Sequence, residues 1–242
     1  MNNITNMIAE GKGKRLYATE NPDEAVVYYR DETFAFHGLK RGRIIGKGEI
    51  NNLICEYMFT LLTQKGVPNH FIRRIDNRCS LIKRVEIIPV TIKVRNIVAG
   101  SLAKRIGYPD GTRLKNTVVE YCLKDSELDD PLVNLTHITA MDIATAEEIQ
   151  RMEELSLRVN DIVGECMREI SIELIDFKLE FGRYKGAILL ADEVSPDTCR
   201  FWDARTHEPL DIDRFRHDLG DVEEAYREVL HRLTGNVLKQ SE

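Results

Sequence analysis

Three β-type runs stand close together near the start of the chain, over residues 15–19, 25–29 and 33–36. Only Asn21-Pro22-Asp23 and Arg30-Asp31-Glu32 separate them, and turns that short cannot carry the crossover that parallel strands need. The runs therefore predict antiparallel pairing. Over residues 49–65 the period becomes that of a helix: Ile50, Leu53, Ile54, Tyr57, Met58, Leu61 and Leu62 share one face, and Gly66 and Pro68 mark the stop. Strands are expected again over 80–85 and 90–95, on either side of Pro89, and over 174–181 and 187–191. A long helix is expected over 146–170, with Thr145 as N-cap and Glu148 closing a capping box, and a last amphipathic helix over 222–233. Strands first, then strands mixed with helices, is an α+β pattern rather than the strict alternation of a doubly wound sheet. The change falls near residue 83 and divides the chain into 1–82, an antiparallel β domain with one helix, and 83–242, a larger α+β domain.

Composition narrows the function classes. The 242 residues suffice for one large or two small domains, and 43% apolar with 31% charged residues is a globular balance. A net charge of −6 argues against a dedicated nucleic-acid binder, whose phosphate contacts need a basic surface. No apolar run is long enough to span a membrane, and the opening residues lack the pattern of a secretory signal. The five cysteines are odd in number and contain no C-x-x-C pair, so they read as small buried hydrophobes in a reducing cytoplasm.

Four stretches can carry chemistry. In Glu10-Gly11-Lys12-Gly13-Lys14-Arg15, glycines let backbone amides approach an anion and two lysines add point charges. The pattern is neither a Walker A loop nor a dinucleotide fingerprint. It suits a lid over nucleotide phosphates, and equally a solvated basic hairpin turn. In Asp176-Phe177-Lys178-Leu179-Glu180-Phe181-Gly182, strict alternation places the apolar residues on one face and Asp176, Lys178 and Glu180 on the other, about 6.7 Å apart in turn. That row fits a charged ligand, or a strand face kept polar for solubility. The apolar run Ala187–Ala191 ends in Asp192-Glu193, which can hold carboxylates at the rim of a sheet for a hard cation such as Mg²⁺, or lead into an acidic loop. Arg95, the Gly100-Ser101 turn, Arg200 and Arg216 offer donors for phosphate or carboxylate, although each arginine alone reads as a surface residue. No histidine pattern of a zinc protease and no G-x-S-x-G nucleophile is present.

Taken in order, Glu10-Gly-Lys-Gly-Lys, Lys47-Gly-Glu-Ile-Asn-Asn52, Val94-Arg-Asn-Ile-Val-Ala-Gly-Ser101, Asp129-Asp-Pro-Leu132, Asp176-Phe-Lys-Leu-Glu-Phe-Gly182 and Asp192-Glu-Val-Ser-Pro-Asp-Thr-Cys-Arg200 resemble the phosphoribosylaminoimidazole-succinocarboxamide synthase (SAICAR synthetase) family. The likeness spans about residues 8–235. It implies an α+β fold, SAICAR synthase-like and related to ATP-grasp and kinase-like folds, with a small N-terminal antiparallel sheet over a larger domain and nucleotide in the cleft between them. It implies an ATP-dependent ligase that joins L-aspartate to the carboxylate of carboxyaminoimidazole ribonucleotide through an acyl phosphate, with Mg²⁺, in a cytoplasmic homodimer. By motif, Lys12, Gly13 and Lys14 would contact ATP phosphates; Lys83, Val85 and Ile87 would line the adenine; and Lys124 would reach the nucleotide. Glu180 and Asp192 would hold the metal. Arg95, Ser101, Lys178, Arg200 and Arg216 would gather the ribonucleotide, with Lys178, Asp176 and Arg200 as catalytic residues and Asp176 orienting Lys178 or a ribose hydroxyl. At His37 the chain departs from members with an acidic or amide residue there; the imidazole suits proton removal from an amine, or is simply part of a loop. Two rival readings share the lid and carboxylates: a small-molecule kinase and a non-catalytic nucleotide-binding module.

Overall fold

A computed structural model describes residues 6–35, 38–125 and 127–240, with side chains as far as 235. Residues 14–18 and 24–29 pair antiparallel across the first short turn, but the third run does not pair with the second and instead forms a separate ribbon with residues 40–43. One sheet runs in the order β1 (Met7–Glu10), β2 (Lys14–Ala18), β3 (Glu24–Tyr29), β7 (Cys79–Lys83), β6 (Phe71–Arg74). A two-stranded ribbon, β4 (Glu32–Ala35) and β5 (Lys40–Arg43), follows β3 in the chain. The second sheet runs β10 (Leu132–Val133), β9 (Arg113–Leu123), β8 (Glu86–Ile97), β11 (Ile172–Tyr184), β12 (Ala187–Ala191), and β13 (Cys199–Asp203) also pairs with β11. The helices are α1 (Lys47–Gln64), α2 (Ser101–Ile106), α3 (Leu135–Ala140), α4 (Ala146–Glu169), α5 (Asp213–Arg216) and α6 (Val222–Gln240).

Both sheets and three helices share one core. Ile54, Met58 and Phe59 of α1, Met152 and Val159 of α4, and Tyr226 and Val229 of α6 are wholly buried with Ile92 and Phe181 of the second sheet and Ala25 of the first. Each Val, Ile, Met or Phe side chain among them contributes about 1.5–3 kcal/mol by leaving water. The α4 start is as expected: Thr145 Oγ1 accepts the Glu148 amide at 3.2 Å while Glu148 Oε2 accepts the Thr145 amide at 3.0 Å. Among the described residues no helix is long and apolar enough to cross a membrane.

Pro89 does not divide two strands as the sequence suggests. It lies inside β8, at the place where the register against β11 slips: Thr91 pairs with Glu180, but Ile87 pairs with Gly182. A proline has no N–H for a ladder and is accommodated at such a bulge. The strands close up here because residue 182 is glycine; a Cβ would meet Val85 Cγ2 at 2.5 Å and the Glu86 carbonyl oxygen at 2.9 Å. The basic run Lys40–Arg43 is strand β5, and Lys40 Nζ donates to the Phe215 carbonyl at 2.6 Å.

Candidate active site

The bulge and the β11–β12 hairpin form one wall of a cleft of about 900 Å³, whose other wall is the first sheet with the glycine-rich turn between β1 and β2. Lys12, Gly13, Lys14, Lys83, Val85, Ile87, Lys124, Lys178, Glu180 and Asp192 all line it. The alternation in β11 sends Phe177, Leu179 and Phe181 into the core, which turns Asp176, Lys178 and Glu180 the other way. This is no solvated strand face, because Asp176 and Glu180 are only 8% and 7% exposed. Buried acids need partners. Glu180 Oε2 accepts from Lys124 Nζ, and Lys124 follows β9 in the same sheet.

Asp192 lies just past β12 with φ 60°, in the left-handed region that a non-glycine residue occupies only when its surroundings hold it there. Its carboxylate accepts from Lys14 Nζ, which also lies 2.9 Å from Glu193 Oε1. Burial works against the charge on both sides, yet Lys14 and Lys178 hold the Asp192 carboxyl well below its ordinary range, and Asp192 and Glu193 raise the Lys14 ammonium. Burial pushes Glu193 up, helped by the charges of Asp197 and Asp192 and opposed by Lys14. Beside them His70 is buried, and burial followed by the Lys14 charge lowers its imidazole to about 3, so it is neutral.

A second cluster holds the remaining expected residues. Arg95 donates from Nε to Glu120 at 2.6 Å, from Nη1 to Asp176 at 2.8 Å and from Nη2 to Ser101 Oγ at 3.1 Å. Arg200 Nη1 reaches both oxygens of Asp176, and its Nε donates to Asp213 at 2.5 Å; Arg216 Nη1 donates to the other oxygen of Asp213 at 2.7 Å. Gly100 (φ 55°) makes room for this: a Cβ there would lie 2.8 Å from Arg200 Nη2. Asp176 is thus oriented by two guanidinium groups and in turn orients them; of the two roles expected for it, orienting Lys178 or a ribose hydroxyl, the first is not seen as a hydrogen bond or ion pair. Arg95, Ser101, Arg200 and Arg216 do not line the main cleft; Lys178, two positions from Asp176 on the same face of β11, stands between cleft and cluster. His37 lies outside the described residues.

Lys47, Asp197, Tyr226 and Asp213 escape the sequence reading as site residues, and Glu193 enters it only as one of the two acids that end the run 187–191. Lys47, Asp197 and Glu193 sit inside the recognised motifs, but nothing in one sequence tells a buried lysine from a solvated one. Lys47 Nζ lies 2.6 Å from Asp197 Oδ2, and Tyr226 donates its hydroxyl to Asp197 Oδ1 at 2.5 Å.

Among the described residues no group of three or more acids, histidines or cysteines is gathered for an ion. Glu180 and Asp192 facing one cleft offer two hard-oxygen donors, which suits a small divalent ion that takes one or two carboxylates and completes its shell with phosphate oxygens and water.

A lysine-bearing glycine turn thus stands over buried carboxylates, next to a guanidinium cluster, an arrangement suited to anionic ligands. The family model for SAICAR synthetase matches residues 7–233. A phosphoribosylaminoimidazole-succinocarboxamide synthase of Persephonella marina is 54% identical over 224 residues, 93% of this chain and 94% of that protein. The crystal structure of the corresponding synthase from Ehrlichia chaffeensis superposes with a TM-score of 0.93 at 42% identity, covering 94% of this chain and 98% of that one. A SAICAR synthetase solved in complex with ADP superposes at 0.91, also 42% identical, over 94% and 97% of the two chains. The chain belongs to the SAICAR synthetase family.

Proposed function

We propose that this chain is the ATP-dependent ligase that joins L-aspartate to the carboxylate of carboxyaminoimidazole ribonucleotide, releasing ADP and phosphate. A carboxylate is a poor acyl donor because oxide does not leave. Attack of a carboxylate oxygen on the γ-phosphorus of ATP expels ADP and gives an acyl phosphate. The aspartate amine then attacks that carbonyl, phosphate leaves with the activated oxygen, and the nitrogen gives up a proton. No protein nucleophile takes part, so the residues serve by positioning and by neutralising charge.

In this reading Lys12 and Lys14 meet the ATP phosphates with the backbone at Gly13, Lys83, Val85 and Ile87 lie along the adenine, and Lys124 reaches the phosphates from the other wall. An ammonium has three donors, so Lys14 and Lys124 can keep their carboxylates while serving a phosphate. Glu180 and Asp192 would hold Mg²⁺. When bound, that ion would neutralise charge on the transferring phosphoryl group. Arg95, Ser101, Arg200 and Arg216 would take the ribonucleotide's phosphate and carboxylate, with Asp176 fixing the two guanidiniums and Lys178 bridging to the ATP side.

The observation that carries this is the placement of Lys14, Lys124, Lys178, Glu180 and Asp192 on one cleft that opens beside the Asp176 cluster. The domain division at 82/83 belongs to the same reading, supported by the first sheet ending at Lys83 and the second beginning at Glu86, with the cleft between. So do a homodimer and a cytoplasmic setting, the latter supported by five buried, unpaired cysteines. The test is a coupled ADP-release assay in which ribonucleotide, aspartate and ATP are omitted in turn. ADP should appear in step with aspartate consumption. A stable phosphorylated product without aspartate use would point to a kinase, and nucleotide binding without turnover to a binding module.

A further inference from the structure

The phosphate turn rests on a buried ion pair. Lys47, the first residue of α1, is 1% exposed, and its Nζ pairs with Asp197 Oδ2. A Cβ built on Gly13 would come 3.4 Å from Lys47 Nζ and 3.5 Å from Asp197 Oδ2, so the backbone of the turn passes against the pair itself. Asp197 is held from two further sides. Tyr226 of α6 donates to Oδ1, and the Asp197 amide donates to Ser195 Oγ at 3.1 Å. Ser195 Oγ donates in turn to Glu193 Oε2 at 2.8 Å, and Glu193 Oε1 faces Lys14 Nζ. A continuous chain of contacts therefore runs from Lys14 through Glu193, Ser195 and Asp197 to Lys47 and returns to the turn at Gly13.

Stability alone is a weak reason for such a pair. Removing two charges from water costs about as much as their attraction returns, and well-packed apolar residues often serve a core better. What the pair supplies is a fixed support that joins the turn to α1, to the loop after β12 and to α6. We infer that Lys47, acting through Asp197, is a positioning residue for phosphoryl transfer: it sets the place of Gly13, so that the neighbouring Lys12 and Lys14 present their charges to the nucleotide. The inference rests on the ATP-dependent reading above.

Lys47→Met keeps most of the length and loses the charge. It should raise the KM for ATP about tenfold and lower kcat, while the KM for aspartate stays within about twofold. Lys47→Arg keeps the charge and should recover part of the loss. Tyr226→Phe removes one hydrogen bond to Asp197 and should move the KM for ATP the same way by about threefold. Calorimetric binding of ADP to each full-length variant provides a readout independent of turnover. If Lys47→Met fails to fold, Tyr226→Phe decides alone. Lower melting temperatures with unchanged KM for ATP and unchanged ADP binding would make the pair purely structural and overturn the inference. Absence of ADP binding by the unaltered protein would instead overturn the ligase reading.

Discussion

Arg200 Nη1 donates to both carboxylate oxygens of Asp176, at 2.7 and 2.6 Å, from the strand paired with it in the sheet. Arg95 Nη1 reaches the same carboxylate from the opposite neighbour, β8. One acid thus sets two guanidiniums side by side with parallel charges, an arrangement that repels itself unless an anion or a carboxylate stands between.

Asp176→Asn removes the charge but keeps the shape. The variant should lose about tenfold or more in kcat/KM for the ribonucleotide while its KM for ATP stays within about twofold, since the guanidiniums lose their alignment and the lysine turn is untouched. Steady-state kinetics with each substrate varied would check it, and equal losses on both substrates would take Asp176 out of the ribonucleotide site.

Glu180→Ala and Asp192→Ala should each cut turnover by about a hundredfold or more with little loss of fold, as expected where charge stabilisation at a metal dominates. Each variant also removes a carboxylate from a lysine: Lys124 loses Glu180, while Lys14 loses Asp192 and keeps Glu193. Turnover measured across a magnesium titration, beside a thermal melt, is the check. Near-normal rates in both variants remove the metal assignment.

Lys178→Ala tests the bridging position. Lys178 is exposed on the cleft wall, so its loss should leave folding intact and weaken use of the ribonucleotide more than use of ATP. Equal effects would assign this lysine to the ATP phosphates.

His70 gives a pH prediction. Burial and the Lys14 charge lower its imidazole from 6.5 to about 3 in the folded chain. Between those values the unfolded chain binds the proton and the folded one does not. The stability His70 contributes is therefore fully present above pH 6.5 and is lost as pH falls toward 3, with a slope of at most about 1.4 kcal/mol per pH unit. Denaturant unfolding across that range should show the loss, and His70→Gln should flatten it. An unchanged slope in the variant would assign the acid sensitivity to other groups.

The parts of the fold that alternate or repeat were legible in the sequence. Phe177, Leu179 and Phe181 read as a strand because only one face of β11 meets the core, and the α4 helix announces itself by its capping box. β9 carries no comparable pattern; Arg113–Leu123 is a strand because β8 and β10 flank it, which is a tertiary cause. Met7–Glu10 is exposed along its whole length and has no face to pattern. In the site, residue types revealed the lysines and acids that line the cleft, but not who pairs with whom. Asp176 takes two arginines and not Lys178, and Lys47 meets Asp197 across 150 residues of chain. Such pairings depend on strand register and helix docking, which local sequence does not encode.

Activation of the ribonucleotide's carboxylate by phosphorylation is the step on which the proposed ligase activity depends. Heavy-oxygen label in both oxygens of that carboxylate follows it directly. After turnover with ATP and aspartate, one labelled oxygen is expected in the released phosphate and the other in the amide carbonyl of the product. Phosphate free of label, with activity intact, would contradict it.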